Sequence, residues 1–197
     1  MTAAQTHDHT HGPSHESPTA VLVQEHDLIL QALDALEAAL GRLEAGGAPD
    51  RGYFEKAVEF LRTFADKCHH GKEEDLLFKA MVSRGFPLQG GPIAVMLSEH
   101  ESGRAFIRGM AEAAVRLDAD PAALRQLIAS GRGYIQLLRA HIAKENSILF
   151  PMADQVLTPE GQAQLAEAFD RFEAQETGAG VHEASLALLE ALKAGAR

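Results

Sequence analysis

Four histidines of this chain give the first indication of chemistry, because each lies on the apolar stripe of a different predicted helix. Two of them are followed four residues later by a glutamate, which places imidazole and carboxylate about 6 Å apart on one helix face. A buried carboxylate needs a cation or several hydrogen-bond donors. A mixed nitrogen and oxygen shell suits iron, manganese or zinc better than calcium or magnesium. The histidines are His26, His69, His100 and His141, and the glutamates are Glu73 and Glu145.

An internal repeat relates these residues as two sets. Each pair of helices supplies one histidine from its first helix and a His-x-x-x-Glu motif from its second. Folded together, the pairs bring four imidazoles and two carboxylates into a pseudo-twofold arrangement. This set predicts two metal ions, each with two histidines, bridged by the two glutamates. The matching segments are Glu25-His26 with Glu99-His100, and HHGKEEDLLF (69–78) with HIAKENSILF (141–150).

The ordered pattern His … His-x-x-x-Glu … His … His-x-x-x-Glu, with Leu-Leu-Phe and Ile-Leu-Phe-Pro after the two motifs, resembles the hemerythrin-like (HHE cation-binding) family over residues 19–157. The resemblance implies a non-haem di-iron centre with two Fe ions, an oxo or hydroxo bridge and carboxylate bridges. It also implies binding of O2 or NO at an open iron position. Carried over by position, the ligands are His26, His69, Glu73, His100, His141 and Glu145.

Two positions depart from the oxygen-carrying hemerythrins. Those proteins have a second histidine one turn after that of the third helix, where this chain has Arg104, and an aspartate ligand where it has Glu145. The likeness is closer to bacterial hemerythrin-like proteins and to the core of iron–sulfur-cluster repair proteins. Other metal motifs fail: none of the four core histidines lies in a ferritin-like Glu-x-x-His, and a His-Glu-x-x-His is broken at Arg104.

The elements that position these residues are predicted to be helices throughout. Apolar residues recur at three- and four-residue spacing, with start and stop signals between the periodic stretches and no strand alternation. Short connections favour an all-α, up-down-up-down four-helix bundle. We expect a disordered tail over residues 1–18 containing His7, His9, His11 and His15, the bundle over 19–157, and two further helices over 158–197.

Composition excludes several classes of partner. With 18 basic and 28 acidic side chains the net charge is −10, which disfavours nucleic acid and anionic membrane surfaces. No apolar run approaches the roughly 18 residues that cross a bilayer, and the N-terminus lacks an apolar signal-peptide region. A single cysteine, Cys68, excludes an intrachain disulfide and is consistent with a reducing cytoplasm.

Three functions fit these observations. The first is a soluble di-iron protein that binds O2 or NO for sensing, storage or detoxification. The second is a redox enzyme that uses the same centre on peroxide, NO or O2 with a separate redox partner protein, or an iron donor in iron–sulfur-cluster repair. The third is a helical interaction protein whose histidines are structural or bind zinc. This third function is disfavoured because it would leave two buried carboxylates unneutralised.

Residues beside the motifs have simpler interpretations. Because one residue turns an α-helix by about 100°, only His69 and Glu73, or His70 and Glu74, can face the interior. The apolar stripe favours the first pair and places His70 on a solvated face. Lys72 and Lys144 are then solvated lysines, Cys68 is a small buried thiol, Tyr134 a core tyrosine and Arg104 a salt-bridge partner.

Overall fold

The computed structural model describes residues 16–178 and 180–196. Within this part of the chain the regular structure is entirely helical, which confirms the all-α prediction. The histidines predicted in the N-terminal tail, at positions 7, 9, 11 and 15, lie outside the described residues. The first helix begins at Pro18, the last residue of the predicted tail.

Six helices follow one another in the described chain. None of them is both long and apolar enough to cross a bilayer. They are α1 (Pro18–Glu44), α2 (residues 51–83), α3 (Pro92–Ala114), α4 (residues 121–156), α5 (residues 159–177) and α6 (Val181–Gly195).

Local sequence signals explain where the helices begin and end. Four of them begin with a side chain that accepts a hydrogen bond from a backbone N–H of the first turn, where the helix itself offers no acceptor. Gly46 at φ 89° and Gly85 at φ 96° follow α1 and α2 in the left-handed region that glycine tolerates. The capping residues are Ser17 of α1, Asp50 of α2, Asp120 of α4 and Thr158 of α5.

Helices α2 and α4 are not uniform α-helices. In α2, π-helical turns extend over Leu61–His70 and Glu73–Leu77, and in α4 over Glu145–Leu149. A π turn closes its hydrogen bond over five residues rather than four, so it contains more residues than an α turn. Adjacent side chains are therefore separated by less than the about 100° of an α-helix. This local widening changes which side chains of α2 face the interior.

The two shorter π segments occupy equivalent positions of the internal repeat. The backbone N–H of Phe78 donates to the carbonyl of Glu73, and that of Phe150 donates to the carbonyl of Glu145. Both copies of the repeat therefore have the same backbone geometry at their glutamates.

Two apolar cores fill the interior, and we name them after the C-terminal helix that joins each. The α5-side core contains Leu22, Leu77, Phe78, Met81, Ile93, Met96, Leu149, Phe150, Ala153, Leu157, Leu165 and Phe169. The larger α6-side core includes Ile29, Leu33, Leu40, Phe64, Ala65, Ile107, Met110, Leu127, Leu138, Leu189 and Leu192.

The predicted metal-binding side chains lie between these cores on each of the first four helices. Along α1 and α3 the chain passes from the α5-side core, through the histidine, to the α6-side core. Along α2 and α4 the order is reversed. The successive positions are Leu22, His26 and Ile29 on α1; Ala65, His69 and Leu77 on α2; Ile93, His100 and Ile107 on α3; and Leu138, His141 and Leu149 on α4.

The two C-terminal helices are packed onto the rest of the molecule. Both α5 and α6 contact α1 and α2. The Arg42 guanidinium of α1 donates to the carbonyl of Gly195 at 2.7 Å, which attaches the end of α6. The residues after 157 therefore contribute to both cores.

Candidate metal centre

Two buried groups of histidine and glutamate side chains occupy the stretch between the cores. Within each group, one potential ligand atom from every residue lies within 4.8 Å of those of the others. Glu73 belongs to both groups, so its carboxylate connects them. All of these side chains are buried. The first group is His26, His69, Glu73 and Glu145, and the second is His70, Glu73, His100 and His141.

All six residues predicted as ligands are present in these two groups. They come from α1, α2, α3 and α4, so the fold brings together side chains more than one hundred residues apart in sequence. The second group contains one residue that was not predicted, His70.

The four predicted histidines are oriented in the same way. Each ring forms a hydrogen bond through Nδ1 with an oxygen of a neighbouring side chain, and its Nε2 lies near a central glutamate. A metal-binding histidine is commonly held by such a bond on its other ring nitrogen. The Nδ1 partners are Asn146 for His26 (2.7 Å), Glu25 for His69 (2.9 Å), Glu74 for His100 (2.7 Å) and Glu99 for His141 (2.8 Å).

The pseudo-twofold relation extends to these neighbours. Glu25 and Glu99 are equivalent in the repeat, and each orients the histidine of the next helix. The ring of Phe150 stacks on His26 with centroids 5.4 Å apart, and that of Phe78 stacks on His100 at 6.0 Å. Each His-x-x-x-Glu helix therefore supplies an aromatic wall to a histidine of the other helix pair.

The central glutamates have the environment that a cation would satisfy. Neither carboxylate is exposed, and none of their oxygens has a hydrogen-bond partner in the described chain. Glu145 lies 3.2 Å from Nε2 of His26 and 3.1 Å from Nε2 of His141, whereas Glu73 lies 3.6 Å from Nε2 of His69 and 3.4 Å from Nε2 of His100. Each carboxylate thus approaches one imidazole from each half of the repeat. Unpartnered buried carboxylates facing imidazole nitrogens fit a pair of cations.

The prediction that His70 lies on a solvated face is wrong. Its side chain is buried, and its ring stacks on that of His100 with centroids 3.9 Å apart and an interplanar angle of 12°. The prediction assumed α-helical rotation, whereas Leu61–His70 is π-helical and turns less between adjacent residues. His69 and His70 therefore both face inward. The His-His doublet was visible in the sequence, but the widened turn was not.

The prediction that Lys72 is a solvated lysine is also wrong. Its side chain is fully buried, its ammonium ion-pairs with Glu25, and it lies 2.5 Å from Oε1 of Glu173 on α5. Lys144, its equivalent in the repeat, pairs with Glu99 and is 38% exposed. The difference arises because α5 covers Lys72.

A third group consists of Glu25, Cys68 and Glu173, whose ligand-type atoms also lie within 4.8 Å of one another. Lys72 already ion-pairs with both of these carboxylates. Burial raises the pKa of the Cys68 thiol to about 12, so the thiolate that a metal requires is disfavoured. The buried thiol predicted at Cys68 is confirmed, and this group is an ion-pair cluster.

Two other expectations are confirmed. Arg104 forms salt bridges with Asp66, Glu74 and Glu101. Tyr134 is fully buried in the α6-side core, as predicted for a core tyrosine.

The carboxylates raise the proton affinity of the metal-free imidazoles. Burial disfavours the charged form of His100, yet the adjacent Glu73 and Glu74 carboxylates raise its pKa to about 9. Burial likewise opposes the charge on His26, but Glu145 raises the pKa of that ring above its ordinary value. Protons therefore compete with a cation for the same nitrogens.

Comparison with known proteins gives one family. The model described as "Hemerythrin HHE cation binding domain" matches residues 17–153, which include both groups. Similar proteins include uncharacterized proteins of Mycobacterium bovis and of two strains of Mycobacterium tuberculosis, each 23% identical over 170 residues that cover 84% of this chain. The chain spans 66% of the length of these relatives.

Replacing Lys72 by methionine should destabilise the protein, because Glu25 and Glu173 would keep their charges without the ammonium between them. Loss of one partner from a buried ion pair costs about 3 kcal/mol of unfolding free energy. The matched control Lys144→Met removes a half-exposed pair and should cost about 1 kcal/mol or less. Urea denaturation of both variants at equal metal content measures the difference. Equal losses would contradict the burial of Lys72.

Metal loading at pH 7 should release protons, because an imidazole must be neutral to bind a metal and His100 is protonated there. Proton release should decrease as the pH approaches 9 from below, while apparent metal affinity increases over the same interval. Anaerobic titration of metal-free protein with Fe(II) in weakly buffered solution containing a pH indicator measures both. The His182→Ala variant, altered outside the two groups, is the control. Metal uptake without proton release at pH 7 would contradict this electrostatic description.

Proposed function

We propose that this chain, which belongs to the hemerythrin HHE cation-binding domain family, holds two iron ions and binds O2 or NO at them for sensing, storage or detoxification. The six residues named from the sequence are the proposed ligands, with Glu73 and Glu145 as bridges between the ions. One observation carries the proposal: two buried groups of ligand-type atoms share Glu73.

The donor set supports iron. Imidazole nitrogen and carboxylate oxygen in a buried, closed environment suit iron, manganese and zinc, and family membership implies a metal cation. An oxo or hydroxo bridge would complete the link between the ions, in addition to the carboxylates.

When bound, such an iron pair supplies redox-active metal with coordination positions for a small ligand. The chain's own residues perform the remaining tasks. Glu25, Glu74, Glu99 and Asn146 hold the imidazoles in one orientation through Nδ1. The apolar cores on both sides, together with Phe78 and Phe150, exclude bulk water from the carboxylates.

The up-down-up-down arrangement of α1 to α4 is part of this proposal. It is supported by the alternating order in which the four helices pass between the α5-side and α6-side cores. In this arrangement residues 19–157 form the metal-binding bundle and residues 158–197 an added helical pair. We further propose a cytoplasmic location and a separate redox partner protein that supplies electrons.

Protein expressed in iron-replete medium should contain about two iron atoms per chain and show ferric absorption, as the doubled ligand set requires. The variants His69→Ala and Glu145→Ala should lose much of this iron. Glu73→Ala should lose the most, because both groups share that carboxylate. Metal analysis and optical spectra measure these losses, with His182→Ala as the control. Stoichiometric zinc without iron would overturn the di-iron assignment.

Reduced, iron-loaded protein should change its visible spectrum on rapid mixing with NO or O2. With the six ligands named from the sequence, two imidazoles and two carboxylates would give each ion four protein donors, which would leave positions for a small ligand. Protein loaded with zinc, which has no redox chemistry, is the control and should not respond. An unchanged spectrum with both gases would indicate a closed structural site. Rapid catalytic consumption of peroxide would instead favour the redox enzyme.

A further inference from the structure

We propose that His70 is a further ligand in this centre, and that it binds the metal ion held by His100 and His141. This inference rests on the proposed function, since it concerns the same pair of ions. It makes the two ions unequal, with three imidazoles on one and two on the other.

The position of His70 supports this assignment. A ring nitrogen of His70 lies within 4.8 Å of ligand atoms of Glu73, His100 and His141. Its Nδ1 lies 3.5 Å from Oδ1 of Asp66 and has no hydrogen-bond partner in the described chain, whereas Nδ1 of each of the other four imidazoles is hydrogen-bonded. His70 is therefore a buried imidazole that its neighbours leave incompletely hydrogen-bonded, beside three other groups of ligand type, which is an environment that a cation would satisfy.

The internal repeat shows that His70 belongs to a specialised set of residues. Aligning His69 with His141 places Ile142 opposite His70 and Leu138 opposite Asp66, and aligning His26 with His100 places Leu30 opposite Arg104. Ile142 and Leu138 are buried in the α6-side core, and Leu30 packs against it. One half of the molecule therefore fills this space with apolar side chains, whereas the other half has three polar ones.

These three polar side chains form one connected network. The Arg104 guanidinium donates to Asp66 at 2.8 Å and to Glu74 at 2.7 Å, and Glu74 in turn binds Nδ1 of His100. Arg104 thus fixes the carboxylates that lie beside His70 and His100. The network hydrogen-bonds the ring of His100 and holds a carboxylate 3.5 Å from Nδ1 of His70, so it orders the polar side chains beside both imidazoles.

A purely structural His70 would be explained by its stacking on His100 alone. Stacking needs a flat ring, whereas ligation needs a ring nitrogen. The substitution His70→Phe preserves the ring and removes the nitrogen, so it separates the two roles. The substitution His70→Gly removes the ring and leaves space that free imidazole can fill.

Both His70 variants should hold about half the iron of the unaltered protein, with one of two Mössbauer sites lost or shifted. Addition of imidazole should restore the iron content of His70→Gly, whereas His70→Phe should not respond. The matched control is Ile142→Ala, altered at the equivalent position of the repeat, which should keep both irons.

Two irons with unchanged Mössbauer parameters in His70→Phe would overturn the assignment of His70. The proposed function has its own test in His69→Ala and His141→Ala. If those variants also kept both irons, the di-iron proposal itself would fail. If they lost iron while His70→Phe did not, only the inference about His70 would fail.

Discussion

The structure depends on the burial of two carboxylates, Glu73 and Glu145, at the centre of a helical protein. A buried anion is unfavourable unless positive charge or hydrogen-bond donors surround it. The chain meets this requirement with imidazoles from four helices, and the two apolar cores lie on either side of them. The carboxylates next to the imidazoles are also matched by positive or donor groups, because Glu25 and Glu99 each contact an imidazole and a lysine. The central carboxylates, the imidazoles and the two lysines are therefore connected through Glu25 and Glu99 by ion pairs and hydrogen bonds.

Sequence patterns were sufficient for much of this architecture. Helical periodicity, capping residues and prolines predicted the helices, and the internal repeat predicted which histidines and glutamates would meet. The environment of His70 and Lys72 could not be predicted in the same way. His70 faces inward because Leu61–His70 is π-helical, and no residue pattern signals the extra residue in each turn. Lys72 is buried because α5 covers it, which is a tertiary contact that a repeat-based comparison with Lys144 does not contain.

The departures from symmetry are as informative as the repeat itself. Both copies have a glutamate, a phenylalanine and a π turn at equivalent positions, so the backbone geometry at Glu73 and Glu145 is duplicated. They differ at Asp66, His70 and Arg104, whose equivalents are apolar. They differ again at Glu74, whose carboxylate is hydrogen-bonded to His100. Its equivalent in the other copy is Asn146, whose neutral amide oxygen is hydrogen-bonded to His26. The surroundings of His100 therefore contain more charged groups and more hydrogen bonds than those of His26, although the backbone geometry of the two copies is alike.

The ion pair between Lys72 and Glu173 connects the segment that the family model matches with a helix beyond that segment. The family match stops at residue 153, yet one of the carboxylates beside Lys72 belongs to α5. Lys72 also pairs with Glu25, which orients His69, so three contacts lead from the C-terminal helices to the centre. A fragment cut at the family boundary would keep every proposed ligand and still lose part of the charge balance that holds one of them. The contacts that hold His69 in place therefore extend beyond the segment that the family model matches.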